Sequence, residues 1–128
     1  MIQHIPSLYI GNSALKGRGV YTSAEIQAGD LIEICPVIVC NEEDLPLIHK
    51  TRLHDYYFLW GEEEEKCAIA LGYGSLYNHS YNPNARYEVD FDEEVIRFYA
   101  LSTIKAGGEI TVNYNGDWQD QNPVWFDK

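Results

Sequence analysis

Basic residues are scarce in this chain: nine Lys and Arg face twenty Asp and Glu, for a formal net charge of -11. So thin a cationic set argues against nucleic acid as a direct ligand, because phosphate binding draws on clustered Lys and Arg. The same imbalance suits a basic partner, since an acidic surface speeds encounter with a cationic peptide. It equally serves plain solubility. Cysteine is also scarce. Cys35, Cys40 and Cys67 are odd in number and form no CxxC pair, so buried free thiols in a reducing compartment are expected rather than zinc. His49 and His54 lie five apart, a poor spacing for one helical face, and no metal site is expected. No apolar run approaches the roughly 20 residues of a membrane span. The start, Met1-Ile2-Gln3-His4, lacks a signal-peptide layout. A soluble, intracellular protein with no membrane partner is expected.

What is present is enough for a core. The 128 residues are 45% hydrophobic, which suits one domain over 1–128 and argues against disorder. Ten tyrosines against four phenylalanines is an unusual balance. Aromatics with a polar tip suit a narrow channel that is apolar along its walls and wet at one end.

Along the chain, short extended runs alternate with glycine-rich turns. Ser7–Ile10 reads as a strand, Gly11–Gly19 as a turn-rich connection, and Val20–Thr22 as extended again. Leu31–Val39 is the longest apolar run, but Pro36 inside it predicts two strand pieces or an edge strand. Glu42–His54 is the helical candidate, limited by Pro46 to a start near that residue. Tyr57–Trp60 and Cys67–Leu71 read as two strands around Gly61–Lys66, whose Glu62–Glu65 run fits a solvated hairpin tip. Arg86–Asp90 pairs naturally with Val95–Ala100, and Glu109–Asn113 is the last clear strand. A tail over about 117–128 carries Trp118, Trp125 and Phe126 without a regular period. The class is mainly β, with one short helix.

Three polar knots stand out. Lys16-Gly17-Arg18-Gly19-Val20 is by itself a tight turn, since no helix follows to complete a dinucleotide fingerprint. Tyr77-Asn78-His79-Ser80-Tyr81-Asn82-Pro83-Asn84 is a turn-forming stretch that cannot be ordinary core. Gly108-Glu109-Ile110-Thr111-Val112-Asn113-Tyr114 is a strand ending on a phenol, followed by Asn115-Gly116. Taken singly, each fits a structural role. In this order and spacing, from about Tyr9 to Trp118, they resemble the SET-domain protein lysine methyltransferases. Ile104-Lys105-Ala106-Gly107-Gly108-Glu109-Ile110-Thr111 looks like that family's Gly-Glu-Glu-Leu-Thr segment, with glycine in place of the first glutamate.

The resemblance implies a β-clip of short twisted sheets, with a C-terminal pseudoknot that brings the Asn-His segment beside the terminal tyrosine. It implies S-adenosylmethionine as cofactor, with Gly17, Arg18 and Gly19 offering backbone groups to its methionine part. Asn78 would bind its amino group, His79 would meet the adenine through the main chain, and Trp118 would cover the adenine. Tyr114 matches the catalytic tyrosine and Tyr56 a second channel tyrosine, with Tyr57 as the competing choice. The implied activity is methyl transfer to a lysine of a basic protein or histone-like tail lying as an added strand. The other reading is a catalytically silent SET fold that binds a basic peptide.

Departures from the family pattern matter. No cysteine cluster flanks the core, so the zinc-bound pre-SET and post-SET modules are not expected, and the chain resembles the compact viral and bacterial SET proteins. The viral ones imply a homodimer, and a cytoplasmic location or a host nucleus follows from a bacterial or viral source. Asn115 would let the turn after Tyr114 survive one residue out of phase, because asparagine tolerates positive φ. Val112, two residues before Tyr114, leaves room for di- or trimethylation.

Overall fold

The computed structural model describes residues 3–14 and 17–124. Trp125 and Phe126, and Lys16 of the glycine turn, lie outside the described residues. Two curled sheets form the domain. The first contains β1 (Leu8–Asn12), β2 (Arg18–Thr22), β6 (Asn78–His79) and β9 (Glu109–Val112), in the order β1-β2-β9-β6. The second contains β3 (Leu31–Cys40), β4 (Tyr57–Trp60), β5 (Lys66–Ala70), β7 (Ala85–Asp90) and β8 (Val95–Ala100), in the order β4-β5-β3-β8-β7. Alternation makes these strands: Val20 and Thr22, Ile96, Phe98 and Ala100 all turn inward and are buried. Val20, Ile96, Phe98 and Ala100 pack with Ile32, Cys35, Tyr77 and Ile110 into one core.

Pro36 does not put its strand at an edge. β3 is continuous and central, with a register shift between Leu31 and Glu33. The reason lies in its partners: Leu31 to Pro36 pair with β8, whereas Val37 to Cys40 pair with β5. Pro36 falls where one ladder ends and the other begins, so its missing N–H interrupts neither. The expected division into two pieces is thus a division of partners within one strand.

The helical candidate is also shorter than expected. Helix α1 spans Leu45–His49 with a proline in its first turn, and a separate 3-10 turn follows over Arg52–Asp55. That break folds the chain back, so His49 and His54 meet edge-on at 6.1 Å despite their spacing. The β4–β5 and β7–β8 hairpins form where the alternation placed them. Glu62, Glu63 and Glu64 are exposed at the first tip, with Glu64 at φ 58°. Gly11, read as connection, belongs to β1 opposite Gly19.

Strand β6 was not legible as a strand. It pairs in parallel with β9, Asn78 opposite Thr111 and His79 opposite Val112. The mid-chain knot therefore meets the last strand, the juxtaposition that a C-terminal pseudoknot requires. Asn84 reinforces it: its Nδ2 donates to Glu109 O at 2.8 Å, and its Oδ1 accepts from Thr111 N at 2.9 Å. A side-chain amide here does the work of a further strand. Beyond Tyr114 the chain hooks back, with Val124 N donating to the Tyr81 hydroxyl and Asn115 Nδ2 to Asn122 O.

Candidate active site

One half of the site is a polar cradle. Gly17 has φ 58°, a left-handed conformation that glycine reaches without penalty. Gly19 is needed for a different reason. A Cβ there would collide with the Glu109 carboxylate and lie 2.9 Å from Asn78 Nδ2. Both hydrogens of the buried Asn78 amide are committed, to Arg18 O at 2.9 Å and Glu109 Oε2 at 2.8 Å. That commitment fixes the orientation of the amide and leaves its oxygen as the acceptor it can offer a ligand. Ser13 Oγ donates to the same carboxylate at 2.8 Å. Arg18 contributes through its backbone, its side chain being exposed.

The other half is a phenol at the end of β9. The Tyr114 hydroxyl donates to Tyr77 O at 2.6 Å, and Tyr114 N–H donates to His79 Nδ1 at 2.9 Å. The ring nitrogen that accepts must be unprotonated, which sets the tautomer of His79. Burial, and then the neighbouring Tyr56, pushes the Tyr114 phenol well above its ordinary value. At neutral pH the Tyr114 hydroxyl is therefore protonated, able to donate one hydrogen bond and to accept through its oxygen.

Bounded by the two edges of the five-stranded sheet and the end of β9 lies a cavity of about 700 Å³, walled by Tyr56, Phe58, Tyr87, Phe91, Val112 and Tyr114. Asp55, Glu62 and Glu64 also line it. Edge strands β4 and β7 face one another across it, with Phe58 and Tyr87 rings at 5.4 Å. Of the two competing tyrosines, Tyr56 is the one whose phenol bears on Tyr114, whereas the Tyr57 hydroxyl meets His49 Nδ1 at 2.9 Å.

The structure thus brings Gly19, the Arg18 backbone and Asn78 together, and His79 with Tyr114, while Tyr56 shares the cavity with Tyr114. Trp118 stands 43% exposed on the turn after Tyr114. Asn115 does not take the positive φ expected of it; Gly116 does, at 88°. The Asn115 N–H is instead held by Asn113 Oδ1 at 3.0 Å, so the turn needs its left-handed residue one place later. Sequence reasoning missed Glu109 as a site residue, although it stood inside a quoted motif. An acid next to a glycine pair reads as a turn, and only the fold aims it at Asn78.

The polar cradle and the aromatic cavity thus share strand β9, the cradle through Glu109 and the cavity through Val112. The SET-domain family model matches residues 17–115, and the chain belongs to the SET-domain family. It is 34% identical to the fission yeast (Schizosaccharomyces pombe) histone-lysine N-methyltransferase specific for H3 lysine-37, over 94% of this chain and 77% of that protein. It is 31% identical to the mouse H3 lysine-36-specific histone-lysine N-methyltransferase over 86% of this chain, but spans only 5% of that protein. Among solved structures, a Plasmodium falciparum protein assigned as a histone methyltransferase superposes with a TM-score of 0.72 at 35% identity, covering 89% of this chain and 97% of that one. An active polycomb repressive complex 2 gives a TM-score of 0.71 at 24% identity, over 86% of this chain and 15% of that one, which shows the shared fold.

Proposed function

We propose that this chain is an S-adenosylmethionine-dependent protein lysine N-methyltransferase acting on a lysine within a basic, histone-tail-like segment. The observation that carries the reading is the β6–β9 pairing, which sets the Asn78 cradle and the Tyr114 phenol on one pair of strands. The cradle fits the cofactor: the Asn78 amide, its hydrogens committed to Arg18 O and Glu109, presents its oxygen as an acceptor for an ammonium group, and Gly19 lets that amide and carboxylate close on the β2 backbone. S-adenosylmethionine supplies, when bound, a methyl group on a positively charged sulfur.

The chain's own residues do the rest. The aromatic cavity penalises an ammonium and so favours the neutral lysine amine. The Tyr114 hydroxyl, protonated and held by Tyr77 O, keeps its oxygen lone pairs for that amine. Alignment of this kind supplies much of the barrier reduction in a displacement. Glu62 and Glu64, exposed at the hairpin tip, and half-buried Asp55 give the cavity an acidic margin that suits the flanking charges of a cationic peptide. Val112 is small where it meets the cavity, leaving room for more than one methyl group. A homodimer is part of this reading, carried by the resemblance to compact viral proteins alone.

The test is Tyr114→Phe with labelled S-adenosylmethionine and a mixture of basic proteins. Transfer should fall by about 100-fold or more while cofactor affinity, read by calorimetry, stays within about twofold. Full turnover in the variant would remove Tyr114 from catalysis. Cofactor binding by the unmodified chain without label on any lysine would instead mark a silent SET fold.

A further inference from the structure

Glu33 is a carboxylate in the core, only 2% exposed. Among the described residues it forms no ion pair. Each oxygen is instead used by a hydrogen bond: Oε1 accepts from the Tyr77 hydroxyl at 2.7 Å, and Oε2 accepts from Tyr73 N–H at 2.9 Å. A buried carboxylate is costly, and leucine would fill this place more cheaply if packing alone were at stake.

The surroundings close down on that carboxylate. Gly72 adopts φ 71°, and a Cβ there would strike Glu33 Oε2. A Cβ on Gly74 would lie 2.7 Å from Ala70 Cβ and 2.9 Å from Cys35 Sγ. Residues 72–77 are thus drawn onto β3 by glycines that let the backbone approach. This segment ends on Tyr77, whose ring is pinned between Glu33 and Phe98, the latter at 4.5 Å between centroids. The carbonyl of that same residue receives the Tyr114 hydroxyl, and the next residue is Asn78.

We propose that Glu33 is a positioning residue for methyl transfer: by holding the Tyr77 side chain it fixes the carbonyl that aims the Tyr114 hydroxyl. The inference rests on the methyltransferase reading of Tyr114. A carboxylate three bonds of contact away from the reacting amine thereby sets the direction of the phenol, without touching substrate or cofactor. The segment it draws down is short and glycine-rich, with Ser75 Oγ bonded to Tyr56 O at 2.9 Å as a second side-chain tie, and a shift of about 1 Å at a reacting group is enough to be felt in rate.

Tyr77→Phe tests it most cleanly, since the ring and the carbonyl stay and only the hydroxyl goes. The expected result is a fall in kcat of roughly tenfold, with KM for a basic peptide and Kd for S-adenosylmethionine each within about twofold. Glu33→Gln should fall at least as far, and the double variant no further than Glu33→Gln alone, because both changes cut one link. Unchanged kcat in Tyr77→Phe well below its melting temperature, with only stability reduced, would overturn the proposal. Should the unmodified chain transfer no methyl to any lysine, the enzymatic reading falls separately. The anchor is then judged by ¹³Cζ-tyrosine NMR: a displaced Tyr114 resonance in Tyr77→Phe supports it, and an unmoved one sinks it.

Discussion

Gly19 shows how little space the cradle leaves. Its missing side chain is what lets the Glu109 carboxylate and the Asn78 amide sit against the β2 backbone. Gly19→Ala should therefore push Asn78 aside and weaken S-adenosylmethionine binding by about tenfold, or about 1.4 kcal/mol, in calorimetry, with the β-rich circular dichroism spectrum retained. At this scale the sequence was legible wherever chemistry restricts the residue type. Gly17 needs backbone freedom, Gly19 the space of a missing side chain, Asn78 a two-faced amide, and Tyr114 a phenol just past a strand end. Glu109 and Glu33 were not legible, because an acid beside a glycine turn, or alone in an apolar run, names no partner until the fold shows what it faces.

Among elements, the hairpins were readable from alternation and turns, since both partners are local. The long β3 and the two-residue β6 were harder. Each is defined by partners distant in sequence, and propensity carries no information that a proline falls between two ladders. The Asn84 clamp on β9 belongs to the same class of long-range fact. Asn84→Ala leaves Glu109 O and Thr111 N without their side-chain partner, which should cost about 1–3 kcal/mol in chemical denaturation. Faster hydrogen exchange at the Thr111 amide should accompany the loss and locate it on β9.

For the molecule as a whole, the tyrosine-rich interior has a consequence for pH. Burial first, then Glu64, pushes the Tyr87 phenol up to about 12, and burial raises Tyr77 and Tyr114 as well. A raised acid keeps its proton more tightly in the folded chain than in the unfolded one. Its stabilisation is thus complete below the ordinary phenol value near 10 and disappears as pH climbs toward the folded value. Melting temperature should hold on this account up to about pH 10 and fall between about pH 10 and 12, the window set by Tyr87. Melts across that range, with tyrosinate absorbance followed in parallel, check the coincidence.

Strand β9 is hydrogen-bonded to β2 on one side and to β6 on the other, so it is the last piece to arrive and the one on which both halves of the centre depend. A ribosome delivering this polymer N-terminus first would expose β2 and β6 with their shared neighbour still unsynthesised, and closing contacts so distant along the chain is slow. Competence for ligands and completion of folding therefore coincide: a nascent or clipped chain that stops short of residue 109 has neither the cradle's carboxylate nor the phenol.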